Sequence, residues 1–504
     1  LRYNSGSTRR KSLLTAFLLI AVLVGVGLRF VDLGGKSLWT DEMLTLDNAL
    51  VGKDMKAADV FGNLQGPLAS ILVRFWGALS QGDGFLRFPF ALAGCLTVAA
   101  LYVLARRLSG SWTALSTAFF ASLSPMLLWY SQEVRGYAFV VLFSVLMTYY
   151  LVRWVESRRN RHLFLYGLFV FAGLLSNLSA AFVVFGHMVY LAAFPAKRRL
   201  LGRWFLALLV VLLFFSPWVR SIALRANLDR LASADTGEPL QGGGQWSALA
   251  IPYSLFTYSV GYTLGPPMRE IQTRGLAVVM EHIHWVLAAA AVFAVPFLVG
   301  LLVLRRESGE TLFLILTWMI VPLAVISMLA LRNVKVFTPR YALVSLPAYG
   351  LLIGRGLAAI TKSRWWPVTI AFAGILTISV VNYFVDPAFW GKPDARGAAA
   401  LIKEQFEPGD GVVAVAASRP LGHYLEGFTD VSIFGADDLK SRTAIETRCS
   451  RIADGRERVW LSLCRERLFD PDGVIEEWFE DNMMHVRTFD LTGTRLCLYE
   501  KRGA

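Results

Sequence analysis

The stretch Leu38-Trp39-Thr40-Asp41-Glu42-Met43-Leu44-Thr45-Leu46 sets two adjacent carboxylates among apolar residues, just beyond the first long hydrophobic run of the chain. Carboxylates at a bilayer are costly unless they are paired or sit in a wet cavity. Two readings follow. The acids cap a short interfacial helix, or they work on a substrate at the membrane surface. What lies on either side decides between them.

The surroundings are those of a membrane protein. Of 504 residues, 55% are hydrophobic, against about 45–50% in soluble domains, and the mean hydropathy is +0.50. The net charge of +13 is gathered in short Arg/Lys knots between neutral runs. That is the pattern of cytoplasmic loops, and secondarily of anionic lipid contact. A nucleic-acid partner would want a basic soluble domain, and the sequence offers none.

Arg9-Arg10-Lys11 precede the apolar run Leu13–Leu28, which reads as a retained first span with a cytoplasmic N-terminus. Pro67–Leu79 is too short to cross, since crossing takes about 20 residues, and it reads as an interfacial helix. Further spans are expected at Phe85–Leu104, Trp112–Trp129 and Ala138–Val152. The run Leu163–Phe194 is split into a tight hairpin by Ser176-Asn177-Leu178-Ser179, which reads as a turn near the cavity rather than a glycosylation site. Trp204–Val219, Trp285–Leu304, Leu312–Leu331, Tyr341–Ala358 and Trp366–Phe384 complete the set. The total is about eleven spans, with every large basic knot on the cytoplasmic side.

Beyond Asp386 the apolar runs shorten to strand length, as in Val412–Ala416, Val431–Phe434, Val459–Leu463 and Thr494–Tyr499. Helical patterns such as Ala395–Gln405 and Gly473–Asp481 alternate with them. The expected fold is therefore an α-helical polytopic membrane protein over residues 1–385, with outer loops at 32–84 and 220–281. A small α/β domain follows over residues 386–504. An odd number of spans puts that domain outside, on the same side as Asp41. The four cysteines form no CxxC, so thiolate zinc ligation is not expected. Three of them (Cys449, Cys464, Cys497) lie in the C-terminal region, which allows one disulfide in an oxidising compartment.

Sorting the outer loops gathers a short list: Asp41 and Glu42, Gln65, Glu133 and Arg135 with Tyr137, Glu281-His282-Ile283-His284, and Arg340-Tyr341. Glu281, His282 and His284 read as a candidate site for a divalent ion (Mg, Mn or Zn). The two-residue spacing of the histidines suits one metal only on an extended segment.

The order of these motifs resembles the GT-C glycosyltransferases. An Asp-Glu pair in the first outer loop is followed by a Pro-Leu interfacial helix and then by Ser131-Gln132-Glu133-Val134-Arg135-Gly136-Tyr137. Thr338-Pro339-Arg340-Tyr341 precedes a late span, and Lys392-Pro393-Asp394-Ala395-Arg396-Gly397 opens the C-terminal region. The most similar branch is that of the protein O-mannosyltransferases and the lipid A aminoarabinose transferases. Many relatives have a basic residue and Pro-Pro where this chain has Gln65-Gly66-Pro67.

The resemblance implies a polyprenyl-phosphate sugar donor and an inverting displacement at the outer face of a bacterial inner membrane. The acceptor would be a glycolipid, polysaccharide or protein. It implies Asp41 as base, Glu42 beside it, and Glu133 as a second acid. Arg340, Arg135 and Tyr341 would meet the donor phosphate, and Tyr137 and Gln65 the substrate. The readings from other classes are a transporter or lipid flippase, and a sensor with an outer domain. Transporters carry repeated halves and interrupted mid-membrane helices; this chain shows no repeat, and its acids concentrate in outer loops.

Overall fold

The computed structural model describes residues 5–49, 66–225, 248–267, 270–271, 274, 276–332, 337–363, 365–389, 392–416, 418–434, 438–464 and 470–503. Two compact units divide the chain. One comprises Leu1–Leu33 with Asn48–Phe389, the other Gly34–Asp47 with Trp390–Ala504.

The first unit is helical. Its elements are α1 (Ser5–Gly27), α3 (Pro67–Gly77), α4 (Asp83–Leu123), α5 (Pro125–Ser131), α6 (Tyr137–Ser157), α7 (Asn160–Ser176) and α8 (Ala180–Ala193). These are followed by α9 (Leu201–Arg225), α10 (Ala250–Val260), α11 (Ile283–Glu307), α12 (Gly309–Leu331), α13 (Leu346–Thr361) and α14 (Pro367–Val385). Among the described residues, eight helices are long and apolar enough to cross a membrane. α4 is broken at Ser109–Gly110, where the backbone leaves helical angles; its arms carry the expected spans Phe85–Leu104 and Trp112–Trp129. α7 and α8 are the expected hairpin, with Asn177 Oδ1 accepting from the Ser179 N–H at 3.0 Å in the turn.

Burial explains which helix is central. α13 is buried along almost its whole length, and a Cβ at its Gly356 would overlap the carbonyl of Pro296 on α11. Helices in lipid gain little from apolarity alone and associate by such close backbone approach. α9 is the opposite case, with Leu206, Leu209, Leu213 and Phe214 exposed, the surface a lipid-facing helix presents. In α3 the small residues Ala69, Ser70, Val73 and Gly77 face inward, while Phe75 is 71% exposed. Its large apolar side chains thus lie on the outer face, as an interfacial helix requires.

The loops gather at two ends. At one, Arg107 pairs with Glu156, Arg355 with Glu307, and Lys197 with Glu310; the basic knots lie here. The other end holds the Ser131–Tyr137 turn and the α7–α8 turn, which meet at Gly136 and Ser176.

The second unit is an α/β fold built from α15 (Ala395–Gln405), β1 (Gly411–Val415), α16 (Ser418–Tyr424), β2 (Val431–Ile433), α17 (Arg442–Ala453), β3 (Arg458–Leu463), α18 (Val474–Asn482), β4 (Met483–Leu491) and β5 (Thr494–Lys501). The sheet order is β2-β1-β3-β5-β4, with β2, β1 and β3 parallel and β5 and β4 antiparallel. β1 is buried on both faces, which is why it reads as a continuous apolar run. Val413 and Leu461 pack under α17 and α18, while Val412 and Trp460 pack against α15. All four cysteines are free thiols, so the disulfide that the spacing allows does not form.

One segment changes sides. Gly34–Asp47 reads from sequence as part of an outer loop of the membrane region, yet it groups with the C-terminal fold. The cause is a set of specific contacts. Ser37 Oγ donates to Asp394 Oδ1 at 2.6 Å and the Leu38 N–H donates to the Tyr424 hydroxyl at 2.8 Å. Arg396 donates to the carbonyls of Gly34 and Gly35, and Arg419 pairs with Asp47.

Candidate active site

The acidic pair begins helix α2 (Thr40–Ala49), and its two members play different parts. Trp39 caps the helix, its carbonyl accepting from the N–H groups of Glu42 and Met43 at 2.9 and 3.0 Å. Glu42 Oε2 accepts in return from the Trp39 N–H at 3.4 Å, the reciprocal half of a capping box. Glu42 is fully buried, and Lys392 Nζ stands 3.5 Å from the same oxygen, its side chain 3% exposed. The carboxylate of Glu42 is therefore committed to helix and ion pair. Asp41, half-buried, precedes it in the same first turn. The helix-cap reading thus belongs to Glu42.

In the helical unit, the turn between α5 and α6 is laced to its neighbours. Gln132 Nε2 donates to the carbonyls of Leu28, Arg29 and Val31 at 3.2, 3.1 and 2.9 Å. Its Oε1 accepts from the Tyr383 hydroxyl on α14 at 2.8 Å. Arg29 answers from the other side: its guanidinium caps the end of α4, donating to the carbonyls of Ala121 and Ser122 at 2.9 and 2.8 Å. Each side chain thus satisfies carbonyls that a helix end leaves open. Gly136 packs on the carbonyl of Ser176, where any Cβ would overlap it, and a Cβ at Gly66 would lie 2.6 Å from the same oxygen. The entry to α3, the Ser131–Tyr137 turn and the α7–α8 turn converge there.

That framework holds a polar cluster in an aromatic setting. Glu133 is 1% exposed, and its Oε1 accepts from Trp129 Nε1 at 2.7 Å. Trp129 meets the rings of Tyr262 and Tyr383 at 5.8 and 5.5 Å, and Tyr130 meets Tyr137 at 5.0 Å. The Tyr262 hydroxyl is hydrogen-bonded with Tyr130 and Thr338. Arg340 begins the 3-10 turn Pro339–Ser345, and its guanidinium lies over the Tyr341 ring at 5.4 Å. Arg135 is buried in the Glu133 turn.

Charge ties these groups together. Burial raises the Tyr130 hydroxyl well above its ordinary range; Tyr262 and Glu133 add to this, and Arg340 opposes it. Burial likewise raises Tyr262, while its bond with Tyr130 and the charge of Arg340 pull it back. Both phenols therefore stay protonated at neutral pH and can donate to an anion. A guanidinium, a carboxylate and two phenolic donors within electrostatic reach suit a ligand that joins a phosphate to a hydroxyl-rich group.

The structure brings Glu133, Tyr137 and Arg340 into one cluster, with Tyr341 under the guanidinium. It adds Trp129, Tyr130 and Tyr262, whose only sequence signal is aromatic density near span ends. Gln65 lies outside the described residues.

The expected metal ligands are not assembled. Glu281 pairs with Arg274, and His282 Nδ1 lies 3.0 Å from the Val278 carbonyl. His284 is exposed and lies in the first turn of α11. Glu281 ends one short helix, His282 caps the next and His284 lies in its first turn, so the extended segment that the two-residue spacing needs is not formed. Among the described residues no group of three or more His, Cys, Asp or Glu could hold a metal.

Comparison with known proteins follows the same line. The sequence family described as dolichyl-phosphate-mannose-protein mannosyltransferase matches residues 65–220. No curated protein matches the chain. The crystal structure of ArnT from Cupriavidus metallidurans in the apo state is similar with a TM-score of 0.59 at 13% identity, covering 96% of this chain and 98% of that one. ArnT from Cupriavidus metallidurans bound to undecaprenyl phosphate gives 0.57 at 13% identity over the same shares, 96% and 98%. The Archaeoglobus fulgidus oligosaccharyltransferase in complex with zinc and sulfate gives 0.53 at 13% identity, over 96% of this chain and 73% of that one. The chain has the GT-C fold that these structures share, with a small α/β unit at its C-terminal end.

Proposed function

We propose that this multi-pass membrane protein is a glycosyltransferase, moving a sugar from a polyprenyl-phosphate carrier to a hydroxyl of an extracytoplasmic acceptor. The observation that carries the reading is the Arg340 cluster: a guanidinium stacked on Tyr341, with Glu133 and two protonated phenols in electrostatic range. It lies among apolar helices on the fold of ArnT, which has been crystallised bound to undecaprenyl phosphate. A phosphate on a prenyl chain needs both kinds of surface.

In the proposed reaction Asp41 removes the proton of the acceptor hydroxyl as that oxygen attacks the anomeric carbon. The bond from this carbon to the phosphate oxygen breaks on the opposite face, and the configuration inverts without a covalent enzyme intermediate. The proton stays on Asp41 and the electron pair leaves with the polyprenyl phosphate. Arg340 and Arg135 stabilise the charge that develops there, the point at which preorganised cations act most strongly. Tyr341 supports Arg340. Glu133, Tyr137 and Gln65 bind sugar and acceptor, and Glu42 orients the acidic helix. The acceptor is a glycolipid, polysaccharide or protein, the membrane is the bacterial inner membrane, and the reacting face is periplasmic. No step is assigned to a metal, because the residues expected to hold one do not come together.

The test is reconstitution in vesicles with a polyprenyl-phosphate sugar labelled in the sugar and candidate acceptors outside. Label appearing in a new glycosidic bond, with stoichiometric release of polyprenyl phosphate, is the expected outcome. Movement of intact donor across the bilayer without transfer would instead support a flippase.

A further inference from the structure

The Lys392–Glu42 pair joins residues 350 positions apart and is buried on both sides, the side chains 3% and 0% exposed. Burying two charges costs several kcal/mol per ion before their attraction is counted, so such a pair needs a supporting structure. Here it has one. Lys392 opens a short segment that grips the lead-in to α2 at successive points. Asp394 Oδ1 accepts from Ser37 Oγ at 2.6 Å and from the Gly397 N–H at 2.9 Å, and the Arg396 N–H donates to Ser37 Oγ at 3.2 Å. The Arg396 guanidinium holds the carbonyls of Gly34 and Gly35. Asp394 and Arg396, at the start of the C-terminal fold, thus hold Gly34, Gly35 and Ser37 just ahead of the acidic helix. Lys392, in the same segment, reaches into the helix's first turn, to the Glu42 carboxylate that caps it.

We propose that Lys392 is a positioning residue for transfer: its ammonium fixes the Glu42 carboxylate in its capping geometry and so sets the place of Asp41, one residue earlier in the same turn. This rests on Asp41 being the base. The C-terminal unit then carries the working acid rather than serving as an appendage. A base misplaced by 1 Å loses about a hundredfold in rate, while donor binding is assigned to other residues, Arg340 and Arg135. The loss therefore belongs in kcat and not in donor affinity.

Lys392 Nζ belongs to a residue lining a cavity of about 270 Å³ together with Lys36, Ser37, Asp394, Arg396 and Thr492. That space makes a chemical rescue feasible. The experiment uses the full chain in nanodiscs, comparing Lys392→Ala, Lys392→Arg and Asp41→Asn for kcat, donor KM and donor binding. Lys392→Ala is expected to lower kcat by about tenfold or more with donor KM within about twofold. Propylammonium in the buffer is expected to restore part of it, and Lys392→Arg to retain most of it.

The folding of Lys392→Ala is read on the C-terminal fold itself, by protection of its buried Cys449 and Cys497 thiols from reagent, and kcat is expressed per molecule with those thiols protected. A wild-type kcat per protected molecule in Lys392→Ala overturns the proposal, as does a loss confined to donor KM. Should Asp41→Asn stay fully active, the reading of Asp41 as base fails instead, whatever Lys392 does.

Discussion

Gln132 is neutral and has no assigned role within the Ser131–Tyr137 motif, yet it holds the Glu133 turn in place. Replacing it with leucine keeps the bulk and removes every polar contact. Three carbonyls share its two amide protons, at 3.2, 3.1 and 2.9 Å, and Tyr383 donates to its oxygen at 2.8 Å. Two donated bonds and one accepted bond, at about 1 kcal/mol net each, give a loss of about 3 kcal/mol. The Tyr383 hydroxyl, left buried without this acceptor, adds to it. Tyr383→Phe removes only the accepted bond and should cost about 1 kcal/mol. In detergent the apparent Tm of Gln132→Leu is expected to fall by about 3–6 °C, and that of Tyr383→Phe by about a third as much. Donor turnover per folded molecule should fall with Gln132→Leu, because Glu133 follows it in the chain. A Gln132→Leu protein melting within about 1 °C of wild type would refute the reasoning, since loss of these bonds requires a shift several times larger.

Arg340→Ala is expected to weaken binding of a polyprenyl phosphate by about 10–100-fold, and Arg340→Lys less, since an ammonium keeps the charge but loses the forked geometry; competition binding in nanodiscs checks both. The C-terminal cysteines should resist thiol reagents in the native protein and react fully after unfolding without reductant, because no disulfide protects them. Burial pushes the Cys449 thiol from 9.0 up to about 12. The folded state thus favours the neutral thiol, a contribution complete below pH 9 and lost as pH rises toward 12. Cys449→Ala should flatten the fall in stability of the C-terminal fold across that window, measured by its unfolding transition.

The spans were legible because apolar length and basic knots are local signals, and the 3-10 turn at Pro339 and the α7–α8 turn carry their own punctuation. In the C-terminal unit, buried strands announced themselves as apolar runs. β4 did not: it is an edge strand whose His485, Arg487 and Thr488 leave no apolar alternation to read. The allegiance of Gly34–Asp47 was hidden for a different reason, since a contact such as Glu42–Lys392 across 350 positions leaves no local trace. For Glu281, His282 and His284 the two-residue spacing suits a metal only on an extended segment, and the sequence does not reveal that a helix starts at Ile283 or that Arg274 pairs with the Glu281 carboxylate. Asp41 and Arg340 stood out as charges in outer loops; the phenols that complete the Arg340 cluster did not, since tyrosines near span ends are ordinary interfacial anchors.

The central claim is that Asp41 is the base that activates the acceptor. The most direct measurement is single-turnover sugar transfer by Asp41→Asn at saturating polyprenyl-phosphate sugar, with donor affinity measured on the same preparation. The account predicts a rate lowered by about 10²–10⁴-fold, unchanged donor affinity, and an inverted anomeric configuration in the residual product. Transfer at the wild-type rate by Asp41→Asn, or a loss of donor binding equal to the loss of rate, would contradict it.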